Sequence, residues 1–177
     1  MSMQPCLLIA SPQMNDPFFE NAVVLLWHHD EDGAIGIVLN RPLEHPVSEV
    51  LEGPPVEDYP GATVCWGGPV ERGSGTAVVR GEVTQDEGWA LTENLGVTRS
   101  EDRLRRAIEA RTELLLCLGY AGWGAGQLEQ EIQDGSWLYT DVSEDLIFDT
   151  SSGDLYDRAL QTLGLTPSTI LMQPIEA

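Results

Sequence analysis

The longest uninterrupted apolar run in this sequence, Ala22-Val23-Val24-Leu25-Leu26-Trp27, is six residues long, and that limit constrains the fold more than any other feature. A run of that length makes a strand, whereas a membrane helix needs about 20 residues. It is β-branched and aromatic, so it reads as a buried strand. His28-His29-Asp30-Glu31-Asp32-Gly33 follows as a polar turn, and Ala34 to Leu39 returns as the second arm of a hairpin.

The remaining segments are equally short. Cys6 to Ala10, Ala62 to Trp66, Thr76 to Arg80, Leu114 to Leu118, Trp137 to Thr140 and Leu146 to Phe148 read as strands. Gly67-Gly68-Pro69-Val70 joins two of them, and Gly81 to Gly88 is acidic and irregular. Asp16 as N-cap and Pro17 at the first helical position predict one or two turns of helix. Val47, Val50 and Leu51 suggest another short helix. Ser100 is a good N-cap for a helix burying Leu104, Ala107 and Ile108, and Gln127 to Gln133 is a short helix. A last helix is expected from Asp154 to Leu163, with Leu155, Ala159, Leu160 and Leu163 inward and Gly164 as its stop. Strands and helices do not alternate regularly, so the class is α+β rather than a doubly wound parallel sheet. A chain of 177 residues with 42% hydrophobic content can bury one core without disulfide or metal staples, so residues 1–177 are read as a single domain.

Charge narrows the partners. Asp and Glu number 29 against nine basic residues, all of them Arg, for a formal net charge of −20. Without Lys there is no Schiff base and no phosphate-loop lysine. So negative a field opposes nucleic acid and anionic lipid, both of which need cationic side chains to displace counterions. The opening MSMQPCLLIA has neither a basic leader nor an apolar stretch of signal-peptide length, and a cytoplasmic location is expected.

Catalytic motifs are not found. Cys6, Cys65 and Cys117 lie far apart in apolar contexts and read as buried free thiols. His28 and His29 would point to opposite faces of a strand and cannot easily chelate one ion. Asp30-Glu31-Asp32-Gly33 begins like a calcium loop, but Leu39 stands where its closing Glu is needed. No Ser has a nucleophile-elbow context. Arg99, Arg103, Arg105, Arg106 and Arg111 could dock an acidic partner. However, Glu101–Arg105, Asp102–Arg106 and Arg105–Glu109 have the i,i+4 spacing of a solvated helix face. Gly119 to Glu131 carries Gly119, Gly122, Gly124 and Gly126 between an apolar strand and a helix. Such a run either exposes backbone N–H groups to an anion or makes room for Tyr120 and Trp123 in the core.

Several segments recur together in a known order. They are Leu7 to Pro12, Asp16-Pro17-Phe18-Phe19, Gly33 to Leu43, Gly67-Gly68-Pro69-Val70, Gly119 to Glu131, Trp137-Leu138 and Ile147-Phe148-Asp149. The ordered set resembles the YqgE/AlgH family of bacterial proteins over about Leu7 to Leu165. The usual Gly is absent from Met3-Gln4-Pro5, Asn21 stands where a basic residue is common, and Gly81 to Arg99 matches poorly. The resemblance implies a single α+β domain of branched, mainly antiparallel sheets folded into a pseudo-barrel with flanking helices. It also implies a link to transcriptional regulation.

These readings favour a non-enzymatic binding or regulatory adaptor that takes a protein or a small anionic ligand and does not bind DNA directly. The alternative is an enzyme of unrecognised class using a pocket near Asn40, Arg41 and the Gly119–Gln127 loop, with Asp16 and Glu129 as further polar groups. A ligand site is expected at Asp16, Asn40, Arg41, Gly67, Gly68, Gly122, Trp123, Gly124 and Gln127. The segments Asn40-Arg41-Pro42, Gly67-Gly68-Pro69 and Gly119 to Gln127 each follow a predicted strand end, Arg41 suits a carboxylate or phosphate, and Asp16 and Gln127 would orient it. No catalytic residue, metal, cofactor or membrane contact is expected, and the chain is taken as a monomer.

Overall fold

The computed structural model describes residues 3–166, so both ends of the expected 1–177 domain lie outside the described residues. The apolar runs of the first third become the middle of one sheet. β1 (Cys6–Ala10), β2 (Val23–Asp30) and β3 (Gly33–Val38) pair antiparallel, with Leu7 opposite Leu25 and Leu25 opposite Ile37. β4 (Ala62–Trp66), β5 (Val70–Val79), β6 (Gly88–Thr92), β7 (Leu95–Thr98), β8 (Leu114–Gly124) and β9 (Trp137–Asp141) complete nine strands. Their order is β6-β7-β5-β8-β3-β2-β1-β9, and β4 branches off β8. The branch arises because β8 changes partner along its length. Leu114 to Leu118 pair in parallel with β4, whereas Ala121 to Gly124 pair antiparallel with β3. The result is a strongly curled, mostly antiparallel half-barrel in a single domain, with five short helices around it among the described residues.

Leu7, Leu8, Ile9, Leu25, Leu26 and Ile37 are fully buried on this sheet. Each such side chain contributes about 1.5–3 kcal/mol relative to exposure. A second cluster forms under α2 (Glu101–Glu109), where Leu104, Ala107 and Ile108 pack with Val64, Val79 and Leu114. Ser100 caps α2 as expected, its Oγ accepting from the Arg103 backbone N–H at 3.2 Å. α1 (Val47–Val50) and α3 (Gln127–Gln133) also form where expected. Among the described residues no helix is long and apolar enough to cross a membrane.

The structure corrects several local expectations. His28 and His29 belong to β2, and the hairpin turn shrinks to Glu31-Asp32, with Asp30 Oδ1 accepting from the Asp32 N–H at 2.8 Å. Strand alternation leaves His28 exposed and His29 6% exposed. Asp16 does not start a helix. It closes a single turn, its Oδ1 accepting from the Phe18 N–H, and the chain leaves through Asn21 at φ 58°. Leu146 to Phe148 lie in α4 (Glu144–Phe148), not in a strand, because Ser143 caps Leu146 and Arg80 reaches across to Glu144 and Asp149. Leu163 lies beyond α5 (Leu155–Gln161) and is 37% exposed. β5 begins at Val70 rather than Thr76. The poorly matching stretch holds the unforeseen β6–β7 hairpin, whose Leu95 to Thr98 are buried against β5. The largest correction concerns the glycine run. Gly119 to Gly124 continue β8 instead of forming a loop after it.

Candidate functional site

The expected site residues fall into three places. Gly67 and Gly68 are buried where the chain leaves β4 and crosses β8. Gly67 N–H donates to Leu118 O at 2.7 Å, and its carbonyl accepts from Val38 N–H at 2.8 Å, joining β3 to the branch. A Cβ on Gly67 would stand 2.4 Å from Gly119 O, and one on Gly68 (φ +155°) 2.1 Å from the Tyr120 carbonyl carbon. The space these two glycines leave is filled by the backbone of β8.

Gly122 and Gly124 lie on the exposed side of β8, opposite Ile35 and Gly33. Gln127 Oε1 accepts from the Gly124 N–H at 2.9 Å, and its amide donates to Glu131 Oε2 at 3.0 Å. The other oxygen of Glu131 accepts both indole N–H groups of Trp123 and Trp137, at 3.1 and 3.0 Å. The two rings meet edge-on at 6.0 Å, with Phe19 against both. Trp123 and Gln127 therefore sit in a polar-capped aromatic cluster that fastens α3 to β8 and β9.

Asn40 and Arg41 end the β3 segment and hold the Glu20–Val23 turn. Asn40 Oδ1 accepts from Val23 N–H at 3.0 Å while its amide donates to Asn21 O at 2.9 Å, and Arg41 Nη2 donates to Glu20 O. The outer faces of both residues line an open groove of about 540 Å³. Phe18 and Trp66 stack there, 5.8 Å apart and 15° from parallel, and Arg72 closes the far side. Asp16 fixes the backbone of Phe18 from outside the groove. Sequence reasoning overlooked Phe18, Trp66 and Arg72. The first two were visible as aromatics beside Pro17 and at a strand end. Arg72, in the irregular part of β5 where the pairing slips between Val70 and Gly75, gave no signal.

The arginines divide by what they face. Arg80 donates to Glu113, Glu144, Asp145 and Asp149 at 2.7–3.1 Å and holds the carboxyls of Glu144 and Asp149 below their ordinary range. On α2, Arg103 donates to Glu82 O, Arg105 to the carbonyls of Glu52 and Pro54, and Arg106 to Glu87. These bonds replace most of the expected ladder. Glu101–Arg105 closes at 3.8 Å, but among the described residues Asp102–Arg106 and Arg105–Glu109 make no ion pair. Arg41 and Arg72, in contrast, have no carboxylate within 4 Å among the described residues.

Other titratable groups lie apart from the groove. His29 Nδ1 accepts from the Met3 N–H at 2.7 Å, so the neutral ring carries its proton on Nε2. That nitrogen stands 3.1 Å from Glu129 Oε1 but is poorly aligned, a close polar contact rather than a well-formed hydrogen bond. Glu129 therefore does not converge with Asp16 and Arg41. All three cysteines are buried free thiols, and burial pushes Cys6 up to about 11. Among the described residues no group of three or more His, Cys, Asp and Glu side chains is placed to hold a metal ion; the four carboxylates around Arg80 are held by its guanidinium.

Comparisons with known proteins agree with this architecture. The AlgH-like family model matches residues 7–168. The UPF0301 protein of Photobacterium profundum is 36% identical over 98% of either chain. The UPF0301 protein of Caulobacter vibrioides is 40% identical over 90% of this chain and 86% of its own. The solution structure of the AlgH protein from Pseudomonas aeruginosa superposes with a TM-score of 0.75 at 34% identity, covering 100% of this chain and 97% of the other. A crystal structure of a Corynebacterium diphtheriae protein, 22% identical, shares the fold with a TM-score of 0.74 over 92% of this chain and 87% of its own.

Proposed function

The chain belongs to the AlgH-like family, and from that premise we propose that it is a non-enzymatic binding or regulatory adaptor. It takes an anionic group, from a protein partner or a small ligand, in the Arg41–Arg72 groove. One observation carries the reading. In a chain with a net charge of −20, these two guanidinium groups face a groove rather than a carboxylate. Arg41 spends one donor on Glu20 O, and the rest of its fork suits a carboxylate or phosphate. The stacked Phe18–Trp66 pair offers apolar area beside that charge. Direct DNA binding is no part of the proposal, because the α2 arginines are already bonded to neighbouring loops and the overall field is repulsive.

Thermal-shift titrations with citrate, inorganic phosphate and an acidic peptide test the groove. At least one should raise the parent melting temperature, and Arg72→Ala should abolish that rise while keeping the parent's own stability, since Arg72 is exposed and has no ion pair. Equal stabilisation of parent and Arg72→Ala would refute the groove. A salt-dependent gel shift of duplex DNA at micromolar protein would refute the exclusion of DNA.

A further inference from the structure

A separate recess of about 340 Å³ opens where β2, β3, β5, β6 and β8 meet, and its composition differs from the groove. The rings of Trp27, Trp89 and Tyr120 line it, Trp27 itself being 7% exposed, together with Ile35, Thr76, Arg99 and His28, whose Nε2 lies 2.9 Å from Asp30 Oδ2. Trp27 is there because of a β-bulge. Leu26 pairs with Gly36 and His28 with Ile35, so Trp27 is the extra residue of β2 with no partner on β3. Bulges bend a strand locally and re-aim a side chain, often next to a functional site. The Trp27 ring lies 5.9 Å from that of Trp89, tilted by 51°. Trp89 belongs to the edge strand β6 and remains 42% exposed, a large aromatic surface left in water.

Charge selects the ligand. Arg99 is exposed and has no carboxylate within 4 Å among the described residues, although acids outnumber bases 29 to nine. A cation would meet this guanidinium in the lining, whereas an anion would complete it. The ring faces need a flat apolar body, and the volume admits a small molecule rather than a folded partner.

We propose that the bulge-aimed Trp27, the edge-strand Trp89, Tyr120 and Arg99 form a binding site for a small planar aromatic anion, its ring against the indoles and its carboxylate or phosphate on Arg99. This site is independent of the Arg41–Arg72 groove. It makes the domain a sensor of an aromatic metabolite, whatever the groove holds.

Isothermal titration calorimetry of the full chain tests the assignment with indole-3-carboxylate and phenyl phosphate as probes. Benzamide serves as a ring without charge, and inorganic phosphate as charge without a ring. At least one aromatic anion should bind, at least tenfold more tightly than both controls, and which one binds tells a carboxylate site from a phosphate site. Trp89→Ala and Arg99→Gln should each weaken that probe at least tenfold with unchanged far-ultraviolet circular dichroism, and Arg72→Ala should leave it unaltered. Failure of both aromatic anions to bind at millimolar concentration would overturn the proposal. So would full binding by Trp89→Ala or Arg99→Gln, or equal binding of inorganic phosphate. Loss in Arg72→Ala alone would place the ligand in the other groove and also overturn it.

Discussion

Two stretches of glycine on the same strand have opposite surroundings. Gly119, with Gly67 and Gly68, lies at the branch of the sheet, where one backbone crosses another too closely for any Cβ. Gly122 and Gly124, a few residues further on, have no heavy atom closer than 3.9 and 3.8 Å to an added Cβ. The first group makes the branch possible, because only there does β8 exchange β4 for β3. The second leaves an open strip on the surface. A glycine-rich motif is thus two devices, one for backbone packing and one for space, and only the neighbouring chain distinguishes them.

Substitutions can break that contrast in graded steps. Gly68→Ala should have the largest effect, a loss of about 3 kcal/mol or more by chemical denaturation, since its Cβ would overlap a carbonyl carbon that cannot swing aside. Gly119→Ala should cost about 2–3 kcal/mol, combining left-handed strain at φ +78° with a 2.3 Å approach to Gly68 O. Gln127→Ala, which frees the Gly124 N–H at a solvent-exposed position, should cost about 1 kcal/mol. Gly122→Ala should leave stability within about 0.5 kcal/mol. A loss from Gly122→Ala as large as that from Gly119→Ala would show that the two stretches do not differ.

The smallest effect is a pH dependence at the open end of β8, where α3 begins. The close contact of the His29 ring, together with the backbone N–H of Glu129 itself, holds the Glu129 carboxyl below its ordinary 4.5. A carboxyl depressed in the folded state adds stability above its unfolded pKa and loses it as pH falls through the folded value. Glu129→Gln should therefore melt slightly below the parent at pH 7, and the two curves should merge below the carboxylate range. A gap that widens on acidification would reverse the assigned sign.

Much of the scaffold was legible because its signals are local. The Val23–Trp27 run, the Ser100 cap and the Leu104, Ala107 and Ile108 stripe each lie within one element and gave strands and helices where they were expected. Leu146 to Phe148 were read as a strand but form a helix, since three apolar residues carry no period. Arg80, more than sixty residues away, contributes the contacts that hold them as a helix. In the candidate groove, Asn40 and Arg41 were legible as polar residues at a strand end. Phe18, Trp66 and Arg72 come together only because three separate segments meet there.

Legible from the chain alone were most of its short strands, though not the β6–β7 hairpin, together with their buried faces and a charge balance hostile to polyanions. Those properties depend on composition and on spacings of two to four residues, over which a chain is already locally ordered. Which glycines carry a crossing backbone, and which arginines are left without a carboxylate among the described residues, depends on the three-dimensional fold. Gly68 meets Tyr120, and Arg80 meets Asp149, across more than fifty intervening residues. At that separation a residue's neighbours follow from the way the whole sheet curls, and no local pattern encodes them.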